Sequence, residues 1–425
     1  MLNLKLLLEK EQEIRELFKT RKVDFNSLDR LYEIAKLRGN KMFESQQKKA
    51  ELGKLSKKFA ELKNQPEELN KLKNTLANLK KEYIQLDKEA SELENEVHEI
   101  LIRIPNLPLE EVPLGDDDTQ NKVLNVHDKL GRGLVVKNIK PHYEIAYELG
   151  VFDTERAVKL SGSRFVIYKG QGAKLVRALK NFLLDLHSKN NYEELDVPVL
   201  VKPEILFGTG QLPKFKDDLF YLDKENLYLI PTAEVPVTNY FNNEIINLSK
   251  PYRFTAFTEC FRSEAGSGGK DTKGIIRLHQ FKKVELVKIA SEKDALGEFE
   301  QMLSQAKLVL EELELPYREL LLCRGDLGFS ARKTIDLEVW LPSEIKFREI
   351  SSASYMGDFQ ARRAMIRYKE NDEVKYAHTM NASGLAIDRL VAAILENYQN
   401  EDGTVSVPTK LIPYMNGVEK LTKAE

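Results

Sequence analysis

The feature that most constrains the fold is a long series of apolar residues spaced alternately three and four apart, which is typical of a coiled-coil seam. It runs through Leu69, Leu72, Leu76, Leu79, Tyr83, Leu86, Ala90, Leu93, Val97, Ile100 and Ile104. A shorter series with the same spacing precedes it at Leu52, Leu55, Phe59 and Leu62. Between the two, Asn64-Gln65-Pro66 indicates a helix stop and a turn. We therefore predict two antiparallel helices, over about 28–63 and 67–104.

These two helices would form an arm of about 50 Å at 1.5 Å per residue. Two helices bury little apolar surface alone, so we expect the arm to project from a globular body. A dimerisation coiled coil or a scaffold is the alternative that the pattern alone leaves open, since acidic and basic residues balance between 40 and 100. Residues 1–25 indicate a short capping helix and a turn.

The rest of the chain has a different sequence pattern. Pro105 and Pro108 end the second helix, and a linker rich in Pro, Gly and Asp continues to Asp118. From about 125 to 417, mixed helix and strand patterns indicate one α+β domain. We therefore divide the 425 residues into a domain over 1–110 and a domain over 111–425.

Composition narrows the class of protein. The net charge is only -2, so any contact with nucleic acid must depend on local patches. Two cysteines, Cys260 and Cys323, indicate no disulfide framework and fit a reducing compartment. The N-terminal residues are too short and too interrupted for a signal peptide, and no segment approaches a membrane span. We expect a soluble, cytoplasmic protein with no membrane partner.

A glycine-rich stretch, CFRSEAGSGGKDTKG over 260–274, suggests a nucleotide-binding loop but fits neither common pattern. The P-loop fails because Glu264 and Asp271 stand where Gly and Ser or Thr are required. The GxGxxG pattern fails because Asp271 replaces its third glycine. A nucleotide at this loop must be bound in another way.

The flanks of the loop alternate as two strands of a hairpin would. This places Arg262 and Glu264 on one face of the first strand. In the second strand the residues that share a face are Arg277, His279, Phe281 and Glu285. Arginine suits phosphate and phenylalanine offers a stacking surface for a base. From alternation alone, a solvated sheet face with chance ion pairs is the alternative.

These residues resemble motif 2 of the class II aminoacyl-tRNA synthetases, an fRxE followed after a loop by R-x-x-x-F. The stretch YEELDVPVLV is similar to their motif 1, and GLAIDRLVAAILENY to their motif 3. The three motifs would span about 172–198, 254–286 and 381–398. Within the class, the chain resembles the seryl-tRNA synthetase family in the runs GTGQLPKF, PTAEVPVTNYF, DLEVWLP, REISSASYMGDFQARR and NASGLAIDR. The resemblance implies an antiparallel sheet flanked by helices, preceded by a tRNA-binding helical arm.

The resemblance implies a two-step reaction. Serine is activated with ATP to seryl-adenylate and pyrophosphate, and is then transferred to the 3′ end of a serine tRNA. Arg262, Arg389 and Glu349 would be catalytic, with Arg262 at the α-phosphate, Arg389 at the outer phosphates, and Mg²⁺ held through ATP by Glu349 and Ser352. The ATP-binding residues that it implies are Arg262, Ser263, Glu264, Phe281, Glu349, Ile350, Ser351, Ser352 and Arg389.

The resemblance also implies a serine pocket made of Thr232, Ala233, Glu234, Arg262, Glu285 and Ser383. We place Thr232 and Glu234 on one face of a strand, since they are two residues apart; a turn after Pro231 is the alternative. Carboxylates can bind the ammonium group of serine and accept a hydrogen bond from its hydroxyl. A site built around a hydroxyl rejects an analogue that lacks it, because its buried polar groups are left unpaired.

The partners implied are L-serine, a serine tRNA whose long variable arm lies against the coiled coil, and a second copy of the chain in a homodimer. Selenocysteine tRNA is a further implied substrate in a host that has one. Two alternatives remain: a related ligase that loads a carrier protein, which would lack the long arm, and an inactive scaffold paralogue, which would lack residues such as Arg262 and Arg389.

Overall fold

The computed structural model describes residues 1–59, 65–129, 131, 134, 139–265 and 273–423. The chain divides into two compact units, one over Leu2–Ile104 and the other over Met1 and Pro105–Glu425. Leu62 and Asn64 of the predicted helical turn, and residues 266–272 of the glycine-rich loop, lie outside the described residues.

The first unit is helical. Its helices are α1 (Leu4–Glu9), α2 (Glu11–Phe18), α3 (Phe25–Lys57) and α4 (Pro66–Leu101). Helix α3 begins three residues earlier than predicted because the Asp24 carboxylate accepts a 3.1 Å hydrogen bond from the Asn26 amide. Helix α4 ends at Leu101, three residues before the predicted end, since the proline at 105 disfavours helical geometry just before it.

Helices α3 and α4 pack against each other in antiparallel orientation, as predicted. The ion pairs between them show this direction: Arg30 pairs with Glu96 at 2.8 Å, and Lys48 pairs with Glu82 at 2.7 Å. The seam on α4 is its least exposed face, with Leu79, Ala90 and Val97 buried and its other members half-buried. The predicted coiled-coil arm is therefore confirmed.

The second unit contains eight further α-helices in the described part of the chain. They are α5 (His142–Leu149), α6 (Thr154–Ser161), α7 (Gln171–Lys189), α8 (Pro203–Thr209), α9 (Glu234–Thr238), α10 (Glu292–Glu312), α11 (Phe359–Ala364) and α12 (Ile387–Asn397). None of the described helices of either unit is both long and apolar enough to span a membrane.

The strands of the second unit form one large sheet and three small ones. They are β1 (Lys122–His127), β2 (Glu193–Glu194), β3 (Leu200–Val201), β4 (Tyr221–Leu222), β5 (Leu227–Leu229), β6 (Ile245–Ile246), β7 (Tyr252–Phe261), β8 (Gln280–Ala290), β9 (Tyr317–Leu321), β10 (Lys333–Leu341), β11 (Lys346–Gly357), β12 (Arg367–Glu370), β13 (Glu373–Tyr376), β14 (His378–Ala386), β15 (Val405–Ser406) and β16 (Lys420–Leu421). The large sheet has eight strands in the order β1-β9-β10-β11-β14-β8-β7-β2. Its strand pairs are antiparallel except for β2 beside β7, so the predicted α+β fold is confirmed.

Strand β8 shows how the sheet separates core from site. Its residues Val284 and Leu286 lie in the main hydrophobic core with side chains of α7, α10 and α12. Lys283 and Glu285 alternate with them and so lie on the opposite face. An apolar face under the helices thus leaves the other face of β8 available for polar side chains.

The predicted hairpin around the glycine-rich loop is present as β7 and β8, but its strands are shorter than the alternation argument assumed. Strand β7 ends at Phe261 and β8 begins at Gln280, so Arg262, Glu264, Arg277 and His279 lie outside regular strands. The extended run breaks because Glu264 has a left-handed backbone, with φ +54°. The prediction of one shared strand face is wrong for these residues and holds for Phe281 and Glu285 on β8.

Candidate functional site

Two adjoining cavities lie beside β8. The larger has a volume of about 600 Å³ and the smaller a volume of about 220 Å³. The residues that line both are Arg262, Glu264, Arg277, Lys283, Glu349 and Ser383. Two molecules bound side by side in these cavities would therefore both reach Arg262 and Lys283.

Glu285 is the centre of a polar cluster behind the larger cavity: only 1% of its surface is exposed, and its partners Thr232, Lys283 and Asn381 line the cavity while Glu285 itself does not. Its Oε2 accepts a 3.1 Å hydrogen bond from the Thr232 hydroxyl and lies 2.5 Å from Nζ of Lys283. Its Oε1 accepts a 3.0 Å hydrogen bond from the Asn381 amide. Ser383 lies directly opposite Glu285 across the β14–β8 pairing. Lys283 thus balances the charge of Glu285 within the protein itself.

Glu234 is a second buried carboxyl, which lines the larger cavity itself, and its surroundings differ from those of Glu285. Burial, and then the negative charge of Glu285, raise the pKa of Glu234 to about 7. The amide of Gln360 donates a 2.7 Å hydrogen bond to its Oε1. No cation forms an ion pair with Glu234 among the described residues. A cationic ligand in this cavity would find its counter-charge here.

Thr232 and Glu234 do not lie on a strand, so the prediction that placed them there is wrong. Glu234 is the first residue of α9, and its backbone N–H donates a 3.2 Å hydrogen bond to the Thr232 hydroxyl. Threonine accepts such a bond readily from the second residue along the chain, and this local bond favours a turn over an extended strand. The turn, rather than strand alternation, brings both side chains to the same cavity.

The smaller cavity combines an aromatic ring with three arginines, Arg262, Arg277 and Arg389. The guanidinium carbon of Arg262 lies 5.1 Å from the centre of the Phe281 ring. Arg389 on α12 donates a 2.5 Å hydrogen bond to the backbone carbonyl of Glu349 and lies 3.3 Å from its carboxylate. At the same cavity, Glu264 forms a 3.0 Å ion pair with Arg277. A flat base and several phosphate oxygens are the groups that such a lining suits.

Strand β11 adds oxygen donors at the junction of the cavities. Glu349 lines both of them and Ser352 lines the larger one. Ser352 pairs across the strands with Asp336 of β10. Burial, and then the nearby charge of Glu349, raise the pKa of Asp336 well above its usual range. In the described part of the chain, Oδ1 of Asp336 is buried without a hydrogen-bond partner.

The other predicted site residues differ in whether they line a cavity. Ile350 lines the smaller cavity, whereas Ala233, Ser263 and Ser351, like the buried Glu285, line neither of the two. The Ser263 hydroxyl donates to the Asp217 carbonyl at 2.6 Å, and the Ser351 hydroxyl donates to the Ser383 carbonyl at 2.7 Å. These two serines therefore fix the backbone around the site in the ligand-free chain.

Several polar residues at or near the site were not predicted from the sequence. They are Lys283, Asp336, Gln360 and Asn381. For Lys283 a signal existed, since it stands two residues before Glu285 on the same strand. Gln360 gave none, because it meets Glu234 across 126 residues of chain.

Comparisons with known proteins show which family the chain resembles. Residues 1–108 match the family described as the seryl-tRNA synthetase N-terminal domain. Residues 215–398 match the tRNA synthetase class II core domain for G, H, P, S and T. Both halves of the chain therefore point to the same group of enzymes.

Individual relatives match over the full length. The serine–tRNA ligase of Mycoplasmopsis agalactiae is 64% identical, over 99% of this chain and 100% of the relative. That of Staphylococcus haemolyticus is 46% identical, over 98% of each chain. The crystal structure of seryl-tRNA synthetase from Pyrococcus horikoshii complexed with ATP is 32% identical, with a TM-score of 0.94 and coverage of 100% of both chains.

Proposed function

This chain belongs to the seryl-tRNA synthetase family and is a serine–tRNA ligase with a class II core, and from that premise we propose which residues bind each substrate. L-serine occupies the larger cavity and ATP the smaller one. The observation that carries this assignment is that the two cavities adjoin at Arg262. An arginine between two bound molecules can hold the carboxylate of one and the α-phosphate of the other, since each presents a pair of oxygens that the guanidinium N–H groups can contact.

The ammonium group of serine binds Glu234. Glu285 already has Lys283 as its counter-ion at 2.5 Å, whereas Glu234 forms no ion pair among the described residues and accepts a hydrogen bond from the amide of Gln360. Binding a cation beside Glu234 favours its ionised form and offsets the cost of burying that charge. The serine carboxylate then extends towards Arg262.

The serine hydroxyl lies in the cluster formed by Thr232, Glu285 and Ser383. Thr232 and Ser383 line the larger cavity; the Thr232 hydroxyl donates to the buried Glu285 carboxylate, and Ser383 pairs with Glu285 across the strands. Alanine lacks the hydroxyl and would leave these buried groups without a partner, which disfavours its binding.

ATP lies in the smaller cavity with its adenine against Phe281. Glu264 is at the adenine side, Arg262 at the α-phosphate, and Arg389 at the outer phosphates. In the ligand-free chain the Arg262 guanidinium covers one face of the Phe281 ring at 5.1 Å. Arg262 must therefore turn towards the phosphates when a base stacks on that ring.

Mg²⁺ would be held by Glu349 and Ser352 together with phosphate oxygens. These oxygen donors fit a hard cation, and the buried, unpartnered Oδ1 of Asp336 lies on the neighbouring strand β10. The described residues contain no cluster of three or more His, Cys, Asp or Glu that could hold a metal ion. This fits an ion carried by a triphosphate, which neutralises phosphate charge when bound.

In the first step, a carboxylate oxygen of serine attacks the α-phosphorus of ATP. The bond from that phosphorus to the bridging oxygen breaks, and pyrophosphate leaves. Arg262 and Lys283 stabilise the negative charge on the α-phosphoryl oxygens, and the neighbouring cavities set the two reactants in line. In the second step, a ribose hydroxyl at the tRNA 3′ end attacks the activated carbonyl and AMP leaves. Neither step requires a covalent enzyme intermediate, and burial raises the pKa of the Cys260 thiol, which disfavours its reactive thiolate form.

The coiled-coil arm of α3 and α4 binds the long variable arm of a serine tRNA by shape and backbone contacts. Selenocysteine tRNA is a substrate where the host has one. A homodimer lets the arm of one subunit guide tRNA to the active site of the other. Sedimentation that shows only monomer at micromolar concentration would contradict the dimer.

The test of the substrate assignment is ATP–pyrophosphate exchange with serine, alanine, threonine and cysteine in parallel. The assignment predicts exchange with serine and exchange at least about 100-fold weaker with alanine, because a missing hydroxyl leaves several buried groups unpaired. Equal exchange with serine and alanine would contradict the proposed hydroxyl cluster.

A further inference from the structure

Gln360 lies behind the serine pocket and lines neither cavity in the described structure. It is carried by the short helix α11, and only 1% of its surface is exposed. Its Nε2 donates a 2.7 Å hydrogen bond to Oε1 of Glu234 and a 3.1 Å hydrogen bond to the carbonyl of Thr209. Both amide protons of Gln360 therefore have acceptors.

The oxygen of the Gln360 amide also has a hydrogen-bond partner. The Thr379 hydroxyl on β14 donates a 2.6 Å hydrogen bond to Oε1 of Gln360, and Thr379 is fully buried. Turning the amide over would place its oxygen against the Thr209 carbonyl and the Glu234 carboxylate, which are both acceptors. The three contacts together permit one orientation of the amide, with its donor towards Glu234.

The orientation of the amide is important because the negative charge of Glu234 is less well balanced by nearby cations than that of Glu285. The charged groups that act on it are Glu285 and Lys283 on β8 and Arg262 beyond the end of β7. Glu285 opposes the ionisation of Glu234, and the hydrogen bond from Gln360 favours it. Without that bond the carboxyl would be free to rotate and would retain its proton to higher pH.

We infer that Gln360 is a positioning residue for serine: it holds the Glu234 carboxylate towards the ammonium group of the substrate and acts only through Glu234. Thr379 supports it by fixing the amide. This inference rests on the proposed placement of the serine ammonium at Glu234.

The experiment compares Gln360→Met with the wild-type enzyme in serine-dependent ATP–pyrophosphate exchange. Methionine keeps the length of the side chain and removes both donors. The KM for serine should rise about tenfold or more, as expected for the loss of a hydrogen bond to a charged group, while the KM for ATP stays within about twofold. The acid limb of kcat/KM for serine should move to higher pH.

A matched control is Gln305→Met. Gln305 is also a buried glutamine with two hydrogen-bond partners, the Tyr192 hydroxyl at 2.7 Å and the Asn190 carbonyl at 3.4 Å, but it lies on α10 and lines neither cavity. This substitution should lower the melting temperature and leave the KM for serine and the pH profile unchanged. The same result for a folded Gln360→Met would overturn the inference and leave Gln360 a structural residue.

Thr379→Val provides a second test in case Gln360→Met does not fold. Valine keeps the shape of threonine and removes the donor that fixes the amide. The KM for serine should rise severalfold, with no change in the KM for ATP, and Thr379→Ser should restore it. An unchanged KM for serine in Thr379→Val contradicts the inference. Wild-type exchange is measured first, because its absence with serine refutes the substrate assignment itself.

Discussion

The hydroxyl of Thr232 donates a 3.1 Å hydrogen bond to Oε2 of Glu285, which joins the turn before α9 to strand β8. Both residues are almost completely buried, and Lys283 and Asn381 complete the coordination of the carboxylate. This part of the proposed serine pocket is thus already formed in the ligand-free chain.

Thr232→Val should therefore raise the KM for serine by about tenfold, because it removes a hydrogen bond to a buried charged group. The KM for ATP should not change. Thr255→Val is the matched control, since Thr255 is a buried threonine of β7 whose hydroxyl has no hydrogen-bond partner in the described structure. An equal effect of both substitutions on the KM for serine would contradict the role of Thr232.

Serine binding should depend on pH through Glu234, whose pKa of about 7 in the ligand-free protein is raised by burial and by Glu285. Only the ionised carboxyl attracts an ammonium group. As pH falls below this pKa, kcat/KM for serine should fall about tenfold per pH unit, and above it should level off.

Glu234→Gln checks the origin of that acid limb. This variant should have a low kcat/KM for serine at every pH and should lack the limb near pH 7. A wild-type limb near pH 4, the usual range of an exposed carboxyl, would show that Glu234 does not control binding.

Arg389→Lys should weaken ATP binding although it keeps the positive charge. Lysine cannot reproduce the planar fork that contacts several phosphate oxygens, so we expect the KM for ATP to rise by about tenfold. The KM for serine should remain within about twofold of wild type. Arg362→Lys, on α11 and paired with Asp358 at 2.6 Å, is the control and should leave both constants unchanged. Identical kinetics of Arg389→Lys and wild type would show that Arg389 does not contribute to ATP binding.

Shortening the arm should separate the two steps of the reaction. Lys41 of α3 and Glu89 of α4 form an ion pair at 2.8 Å, so the two helices lie side by side there and could be joined by a short loop. Deletion of 45–85, with a short glycine linker, should leave serine-dependent pyrophosphate exchange within about twofold of wild type. Charging of serine tRNA should fall by about 100-fold or more, because the contacts that recognise the RNA shape are lost. Normal charging by this variant would exclude the arm as the tRNA-binding element.

The sequence predicted the parts of this structure that depend on regular periodicity. The seam from Leu69 to Ile100 identified the arm because a spacing of three and four repeats on one helix face. The hairpin of β7 and β8 followed from alternation and from its resemblance to a known motif. In both cases local spacing determines the structure.

The parts that were missed or wrong depend on tertiary contacts or on single hydrogen bonds. Thr232 and Glu234 lie in a turn because one backbone N–H bonds the threonine hydroxyl, which a count of two residues does not reveal. Gln360 meets Glu234 from a distant part of the chain, so no local pattern connects them. The glycine-rich loop over 266–272 lies outside the described residues, and its approach to tRNA stays a prediction.

The central claim is that Arg262 serves both substrates, and the most direct test is serine-dependent ATP–pyrophosphate exchange by Arg262→Ala. Arg156→Ala is the control, since Arg156 is an exposed arginine of α6 paired with Asp153. We predict that Arg262→Ala lowers exchange by about 1,000-fold or more and weakens the binding of both serine and ATP, while Arg156→Ala matches wild type. Exchange by a folded Arg262→Ala within a few-fold of wild type would contradict the account.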